Sequence, residues 1–211
     1  MPNILYLDKN IVVAVKPSGL LSEGEGDGCF PAVLAREIAK GSDTRLFTVH
    51  RLDRETEGIM VYALTQKAAS SLSLQIQKGE WKKIYTAVLW GRPDADSGRL
   101  CDLLYYDRAK SKSYVVKKER KGVKSALLDY TVLSVSEDGK KTTVRAELGT
   151  GRTHQIRVQF ASRGLSLCGD RRYGAPAEAG NSLLLCACEL RFSHPITHEH
   201  LEFKITPSWE S

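Results

Sequence analysis

The alternation of apolar and polar residues predicts a protein built mostly from β-strands. Eight segments combine β-branched and aromatic residues as strands do, and they are residues 4–7, 11–15, 59–64, 84–90, 126–135, 143–148, 183–192 and 201–205. Residues 66–78 place Ala69, Leu72 and Ile76 on one face, which predicts an amphipathic helix. Shorter helices are predicted over residues 31–40 and 153–163. Because strands outnumber helices and do not alternate with them, we expect an α+β fold whose mixed, largely antiparallel central sheet is flanked by helices and loops.

The length and cysteine content favour a single cytoplasmic domain. The 211 residues can bury a sizeable core, and no repeat or linker divides them, so we expect one domain over residues 1–211. No apolar run reaches 18 residues, and the start lacks the pattern of a signal peptide, so neither a membrane span nor secretion is expected. The five scattered cysteines favour reduced thiols.

Residues 50–58 have the sequence His-Arg-Leu-Asp-Arg-Glu-Thr-Glu-Gly, in which Asp53 lies between two arginines. Asp53 is flanked by Arg51 and Arg54 and follows an apolar approach over residues 46–49. A nearby cation favours the charged form of a carboxylate, so Asp53 is a candidate nucleophile. The alternative is that Asp53 caps a helix or closes a turn, which is the commoner role of Asp-x-x-Thr sequences.

Residues 149–160, with the sequence Gly-Thr-Gly-Arg-Thr-His-Gln-Ile-Arg-Val-Gln-Phe, predict a glycine turn that leads into a capped helix. Thr153 is the predicted N-cap, and Ile156 and Phe160 lie four residues apart on the buried side. Arg157 would project from the helix flank toward a cleft. An ordinary solvated helix arginine fits the same pattern.

A zinc site built from Cys186 and Cys188 with His194, His198 or His200 is a further alternative. However, the two cysteines lie in a predicted buried strand, where Cys-x-Cys points both sulfurs to one face with no turn to wrap a metal. We therefore predict no metal.

The positive charge is concentrated in residues 108–124, here called the basic arm. The whole chain has a formal net charge of +6, and the arm holds eight cations against Glu119, or +7, which leaves −1 elsewhere. With Tyr114 in its middle, the arm is typical of a surface that follows nucleic-acid phosphates. A solvated loop is the common alternative for a basic run.

Five parts of the chain, in order, resemble the motifs of the RluA-type pseudouridine synthases. Residues 12–21 are similar to the family's Lys-Pro-x-Gly-Leu segment, and residues 50–58 to its His-Arg-Leu-Asp-x-x-Thr-Ser-Gly signature. Residues 83–88 resemble its Lys-x-Tyr-x-Ala strand, and residues 149–160 its third motif, with a Gly-Asp-x-x-Tyr-Gly turn at 169–174. Residues 194–203 resemble its C-terminal His-Pro-x-Thr strand pair. Departures are Glu57 where the family has serine, Cys186 where it has histidine, and residues 205–209.

The resemblance implies an enzyme that isomerises specific uridines in ribosomal or transfer RNA to pseudouridine. It implies no cofactor. We expect no separate N-terminal RNA-binding domain, because the first motif already begins at residue 12, and we expect a monomer. Asp53 would be the catalytic nucleophile or base, and we assign Arg157 as its ion-pair partner. Tyr85 would contact uracil or its C5 proton, although a core aromatic residue is equally compatible with the strand pattern.

Contacts with RNA are expected from cations on several segments. Arg51 would fill the space that an extruded uridine vacates. Seven further cations are expected to contact RNA phosphates. They are Arg54, Lys82, Lys110, Lys112, Lys117, Lys118 and Arg152.

Two rival functions fit the same residues. A catalytically silent protein of this fold would bind RNA without turnover. A nucleoside hydrolase would also direct an aspartate at a ribose carbon, but it would release free uracil.

Overall fold

The computed structural model describes residues 1–39 and 45–210, and in these residues the chain forms eleven strands and three α-helices. The helices are α1 (Phe30–Ala39), α2 (Gln66–Gln77) and α3 (Gln155–Ala161). The strands are β1 (Asn3–Leu7), β2 (Ile11–Lys16), β3 (Phe47–Thr48), β4 (Glu57–Ala63), β5 (Lys82–Trp90), β6 (Ser97–Asp107), β7 (Lys112–Val116), β8 (Val123–Val135), β9 (Lys141–Leu148), β10 (Leu185–Ser193) and β11 (His200–Lys204). The predicted end of the first helix at Lys40 lies outside the described residues.

The chain divides into two compact units. The first unit comprises Met1–Lys83 and Ala187–Ser211, and the second comprises Ile84–Cys186. The chain passes into the second unit within β5 and returns within β10. A single domain over residues 1–211 stays a prediction.

The first unit is a sheet covered by α2. Strand β2 pairs antiparallel with β1 and β4, β3 pairs with β4, and β11 pairs with β10, which lies next to β4. The near-continuous apolar run of β2 is buried, as expected for a central strand with both faces covered. Val61, Leu72, Trp81 and Phe192 share its main core cluster.

The second unit is an antiparallel meander with α3 packed on it. Its strands follow the order β5, β9, β8, β6, β7, and every pairing along this path is antiparallel. Helix α3 contacts β6 and β7, and Leu104, Ala126 and Val158 form a core cluster between them.

The predicted α+β class with a mixed, largely antiparallel sheet is confirmed, and all eight predicted strands are present with shifted ends. Strands β3, β6 and β7 were not predicted. In β6 only Leu100 and Leu104 are buried, because polar and exposed residues interrupt the alternation on which a strand prediction depends.

Candidate active site

The segment that carries Asp53 connects β3 to β4 and is fastened to residues 18–22. The Ser22 hydroxyl donates to the Leu52 carbonyl at 2.7 Å and accepts from the Leu52 amide at 2.9 Å. The Gly19 amide donates to the Arg54 carbonyl at 2.8 Å. Asp53 itself begins a turn, since its carbonyl accepts from the Thr56 amide at 3.1 Å. The half-buried Asp53 carboxylate is thus presented by a backbone that is fixed on both sides.

A buried lysine lies beneath this turn. The Lys16 side chain is fully buried, and its Nζ donates to the carbonyls of Pro17 and Leu20 at 2.9 Å and of Arg54 at 3.1 Å. Burial lowers the pKa of the Lys16 ammonium to about 8, and the nearby charge of Asp53 opposes that shift. The ammonium is therefore mostly charged at neutral pH, and it lies beneath the turn that begins at Asp53.

Sequence reasoning missed Lys16 as a functional cation. A visible signal was available, since this lysine ends a strand whose other five residues are all apolar. Such a lysine must find partners for its three donors when it is buried.

The arginines that flank Asp53 have other partners. Arg51 Nη1 lies 2.9 Å from Glu23 Oε1, with both side chains more than half exposed, and Arg54 Nε donates to the Gly19 carbonyl at 2.9 Å. Neither arginine forms an ion pair with Asp53 within residues 1–39 and 45–210. The two arginines that are adjacent to Asp53 in sequence are therefore engaged with Glu23 and with the Gly19 carbonyl.

His50 anchors the start of the motif as a neutral side chain. Its Nε2 accepts from the Val61 amide at 2.9 Å, and its ring packs edge-on against Trp81 at 5.2 Å. Burial lowers the pKa of His50 well below its usual value, and the positive charge of Lys83 adds to the effect. A neutral ring with an accepting Nε2 carries its proton on Nδ1.

Glu57, where the family has serine, fastens a C-terminal segment. Its Oε1 accepts from the Ser208 amide at 2.8 Å and its Oε2 from the Ser208 hydroxyl at 2.7 Å. Ser208 opens a single 3₁₀ turn, whose first amides favour a negative partner. The departures at Glu57 and at residues 205–209 therefore lie close together.

Gly58 permits β4 to pack closely on β10. Its φ is +132°, and a Cβ at this position would lie 2.5 Å from the backbone nitrogen and oxygen of Ala187. Only glycine fits there.

In the second unit, Arg157 is buried in an ion pair with Asp170. Arg157 Nε lies 2.7 Å from Asp170 Oδ2 and Nη2 lies 2.8 Å from Oδ1, and both side chains are at most 4% exposed. The guanidinium also lies over the Tyr173 ring at 5.2 Å. The alternative of an ordinary solvated helix arginine is wrong, because Arg157 is buried together with every residue from Gln155 to Phe160.

Asp170 was not singled out from the sequence as the partner of Arg157. The signal was its place in the Gly-Asp-x-x-Tyr-Gly turn. At Gly169 in this turn φ is +76°, and a Cβ would lie 1.9 Å from the Ser182 carbonyl oxygen, so the turn has one conformation.

Helix α3 begins at Gln155, two residues after the predicted start at residue 153, and it lacks a side-chain cap. Its N-cap is His154, in the left-handed conformation with φ 55°, so the prediction of Thr153 is wrong. His154 Nδ1 lies 2.9 Å from the Tyr173 hydroxyl, which also accepts from the Ser113 amide at 2.9 Å. The predicted burial of Ile156 and Phe160 is confirmed.

Gln155 fixes the turn that precedes the helix. Its buried amide accepts from the Thr150 hydroxyl at 2.8 Å and the Arg152 amide at 3.0 Å, and donates to the Leu127 carbonyl at 3.0 Å. The turn and α3 therefore form one rigid element of this unit.

Tyr85 lies on β5 and is 8% exposed, opposite Ala146 on β9. Its catalytic role stays a prediction, as does the pairing of Asp53 with Arg157.

The side chains that are predicted to contact phosphates differ in their exposure and in their hydrogen bonds within the protein. Lys110, Lys117 and Lys118 are exposed in the turns on either side of β7, and Lys82 is exposed at the start of β5. Lys112 Nζ donates to the Arg172 carbonyl at 2.6 Å and lies 4.9 Å from the Tyr173 ring centre and 5.7 Å from that of Tyr114. Arg152 Nε donates to the Ser125 carbonyl at 2.8 Å. Lys112 therefore has a structural role, and its contact with RNA remains untested.

Two absences concern only the residues that the structure describes. Among them, no group of three or more His, Cys, Asp or Glu side chains could hold a metal ion. None of their helices has the length and apolar character needed to cross a membrane.

The family model that matches this chain and two of its relatives all represent RNA pseudouridine synthases. Residues 10–162 match the model of the RNA pseudouridylate synthase family. The chain is 36% identical to an uncharacterized RNA pseudouridine synthase of Aquifex aeolicus over 96% of this chain and 68% of that protein. It is also 36% identical to the dual-specificity RNA pseudouridine synthase RluA of Escherichia coli K12, over 95% of this chain and 91% of the relative.

A solved structure supports the same fold. Human RNA pseudouridylate synthase domain containing 1 superposes with a TM-score of 0.81 at 22% identity, covering 98% of this chain and 83% of the human one. Together with the Asp53 turn and the third motif, these matches establish that the chain belongs to the RluA type of the RNA pseudouridylate synthase family.

Proposed function

We propose that this protein is an RNA pseudouridine synthase that isomerises uridines in ribosomal or transfer RNA, with Asp53 as the catalytic nucleophile or base. The observation that carries the proposal is the fixed turn at Asp53, with the buried Lys16 ammonium beneath it. A carboxylate that the backbone holds in one position is what attack on a sugar or base, or removal of a proton, requires.

The reaction conserves every atom of the nucleoside. The bond from ribose C1′ to uracil N1 breaks, and C1′ then bonds to C5. C5 loses its proton and N1 gains one. No redox step or group donor takes part, so the side chains need only supply a carboxylate, proton transfer and a site that excludes water.

The other site residues have supporting roles in the proposal. Arg157 is the proposed partner of Asp53, and the two hydrogen bonds from its guanidinium to Asp170 fix its orientation. Tyr85 is proposed to stack on uracil or accept the C5 proton. The family pattern supports both roles.

Binding of RNA is proposed for the basic arm and Arg51. The exposure of most arm lysines supports phosphate contact, and Arg51, two residues before Asp53, forms a solvent-exposed ion pair with Glu23. Such exposed pairs contribute little, about 0–1 kcal/mol, so Arg51 can exchange Glu23 for RNA at little cost. A cytoplasmic location is supported by the five cysteines, which are scattered along the chain without the spacing of a disulfide framework. The monomeric state stays a prediction.

One assay tests the catalytic proposal. Ribosomal and transfer RNA carrying tritium at uracil C5 is incubated with wild type, with Asp53→Asn, and with Asp94→Asn as a matched control at an exposed site. We expect wild type and Asp94→Asn to release tritium to water without free uracil, and Asp53→Asn to release none. Free uracil would indicate the hydrolase, and RNA binding with no release from either RNA would indicate the silent binding protein.

A further inference from the structure

A concave surface lies in the second unit, and its lining residues are distant in sequence from the Asp53 turn. It encloses about 660 Å³ between the end of β6, the start of β8 and the turn before α3. It is lined by Leu104, Tyr105, Tyr106, Asp107, Arg108, Ala109, Ser113, Lys121, Gly122, Lys124, Gly151, Arg152 and Thr153, which we call the arm pocket. This volume lies within the range of about 300–1,000 Å³ that small-molecule sites occupy.

The arm pocket is strongly cationic. Arg108, Lys121, Lys124 and Arg152 line it against a single carboxylate, that of Asp107. None of these four cations forms an ion pair within the described part of the chain. Four neighbouring positive charges repel one another, so the pocket is suited to an anion.

Asp107 does not change that conclusion. Its Oδ1 accepts from the Lys110 amide at 3.1 Å, which places the carboxylate in the turn after β6. Four cations thus line the pocket against one carboxylate, and the balance of charge there stays positive.

An aromatic surface accompanies the cations. Tyr106 is 37% exposed, and its ring meets the His154 ring edge-on, with the centroids 6.4 Å apart and the planes at 87°. Tyr105 is more buried, and Arg120 lies over its ring at 4.7 Å. Tyr106 thus has ring surface available to a ligand, and Ala109, a small residue of the lining, leaves room for a flat group.

The pocket is joined directly to the third motif. Arg152 and Thr153 belong to the turn that Gln155 fixes, and this turn enters the helix that carries Arg157. The Arg152 guanidinium is itself oriented by the bond from Nε to the Ser125 carbonyl at 2.8 Å. One of the four cations is therefore preorganised, and preorganised donors lose less entropy on binding.

We infer that the arm pocket binds a nucleotide of the substrate RNA other than the target uridine, with its base stacked on Tyr106 and its phosphate held by Lys121, Lys124 and Arg152. This inference rests on the proposed function, because it takes RNA as the substrate. A cationic groove combined with an exposed aromatic ring is how proteins hold single-stranded nucleotides, since every base has a face that stacks and every link carries a phosphate. An acidic peptide would use the cations but not the ring.

The test measures RNA binding without turnover. A fluorescein-labelled transfer RNA transcript is titrated with protein in the Asp53→Asn background, and fluorescence anisotropy gives the Kd. We expect Tyr106→Leu to raise the Kd about tenfold, because stacking of one base is worth roughly 1–3 kcal/mol. Tyr106→Phe keeps the ring and should stay within about twofold of the parent.

The phosphate contacts are tested by salt dependence. The double variant Lys121→Gln/Lys124→Gln should lower the slope of log Kd against log salt by about 0.7, since the three cations hold one phosphate and each neutralised phosphate of a single strand contributes about 0.7. The matched control is Lys9→Gln/Lys67→Gln, two exposed lysines of the first unit, which should leave the slope unchanged. An unchanged slope in the Lys121 and Lys124 variant would overturn the phosphate assignment.

Kinetic measurements distinguish a role of the pocket in RNA binding from a role in catalysis. In an otherwise wild-type protein, Tyr106→Leu should raise KM for tritium release with little change in kcat. An unchanged Kd in Tyr106→Leu overturns the inference while leaving the synthase proposal intact. If Tyr106→Leu raises the Kd but wild type releases no tritium, the inference about the pocket stands and the synthase proposal is rejected. Polyglutamate and unlabelled RNA are also compared as competitors of the labelled transcript. If polyglutamate displaces the transcript equally from the parent and from Tyr106→Leu, and at the same concentration as unlabelled RNA, the pocket is a general anion-binding surface and the inference is overturned.

Discussion

The buried pair of Arg157 and Asp170 allows a stability prediction. Asp170→Asn keeps the shape of the side chain and one carbonyl oxygen, but it removes the negative charge. Arg157 is 4% exposed and Asp170 is 1% exposed, so the guanidinium would remain in the interior without a counter-charge from Asp170. Removing one partner of a buried pair costs about 3–5 kcal/mol. Because asparagine retains one of the two acceptors, we expect a loss at the lower end, about 3 kcal/mol.

The measurement is the free energy of unfolding from urea titrations followed by circular dichroism. The matched control is Asp129→Asn, which makes the same chemical change in the pair with Arg99, where the side chains are 63% and 49% exposed. An exposed pair contributes about 0–1 kcal/mol, so the control should be nearly neutral. Equal, small losses in both variants would refute the claim that burial makes the Asp170 pair costly to break.

A double variant identifies the cause of the loss. Arg157→Met/Asp170→Leu removes both charges, and replacement of a whole buried pair by apolar residues is often neutral. We expect it to be more stable than Asp170→Asn by at least about 1 kcal/mol. If it is equally unstable, lost packing against Tyr173 rather than the lost counter-charge of Asp170 accounts for the effect.

Two further predictions concern the first unit. The pKa of Lys16 is about 8 when folded and near 10.5 when unfolded, so between these values the unfolded chain binds more protons and stability rises with pH. From pH 7.5 to 9.5 the unfolding free energy of wild type should increase relative to that of Lys16→Met by about 2 kcal/mol, and a pH-independent difference would contradict the shifted pKa. Gly58→Ala should lose at least about 2 kcal/mol because its Cβ would overlap the Ala187 backbone. Gly28→Ala, where a Cβ meets nothing within 4 Å, should change thermal stability little, and similar melting temperatures for the two variants would argue against the overlap.

The local pattern of the chain predicted most of the fold. Strands such as β2 and β9 have β-branched residues in runs or alternation, and α2 has a clear apolar face with a threonine cap, so their types follow from sequence. Strands β6 and β7 escaped prediction because their polar residues are accommodated by neighbouring strands and solvent. Their existence depends on pairing with β8 and with each other, which is a tertiary property.

The sequence by itself singled out Asp53, Tyr85 and Arg157 as candidate catalytic residues, through motifs whose order along the chain is specific. It did not determine their surroundings. Only the tertiary structure placed Lys16 under the Asp53 turn and Asp170 against Arg157, because 38 residues separate Lys16 from its acceptor Arg54 and 13 separate Arg157 from Asp170. Adjacency in the chain suggested Arg51 and Arg54 as the cations for Asp53. Folding instead brings a distant lysine, because the buried ammonium requires several carbonyl acceptors and the closely packed backbone of the turn supplies one of them.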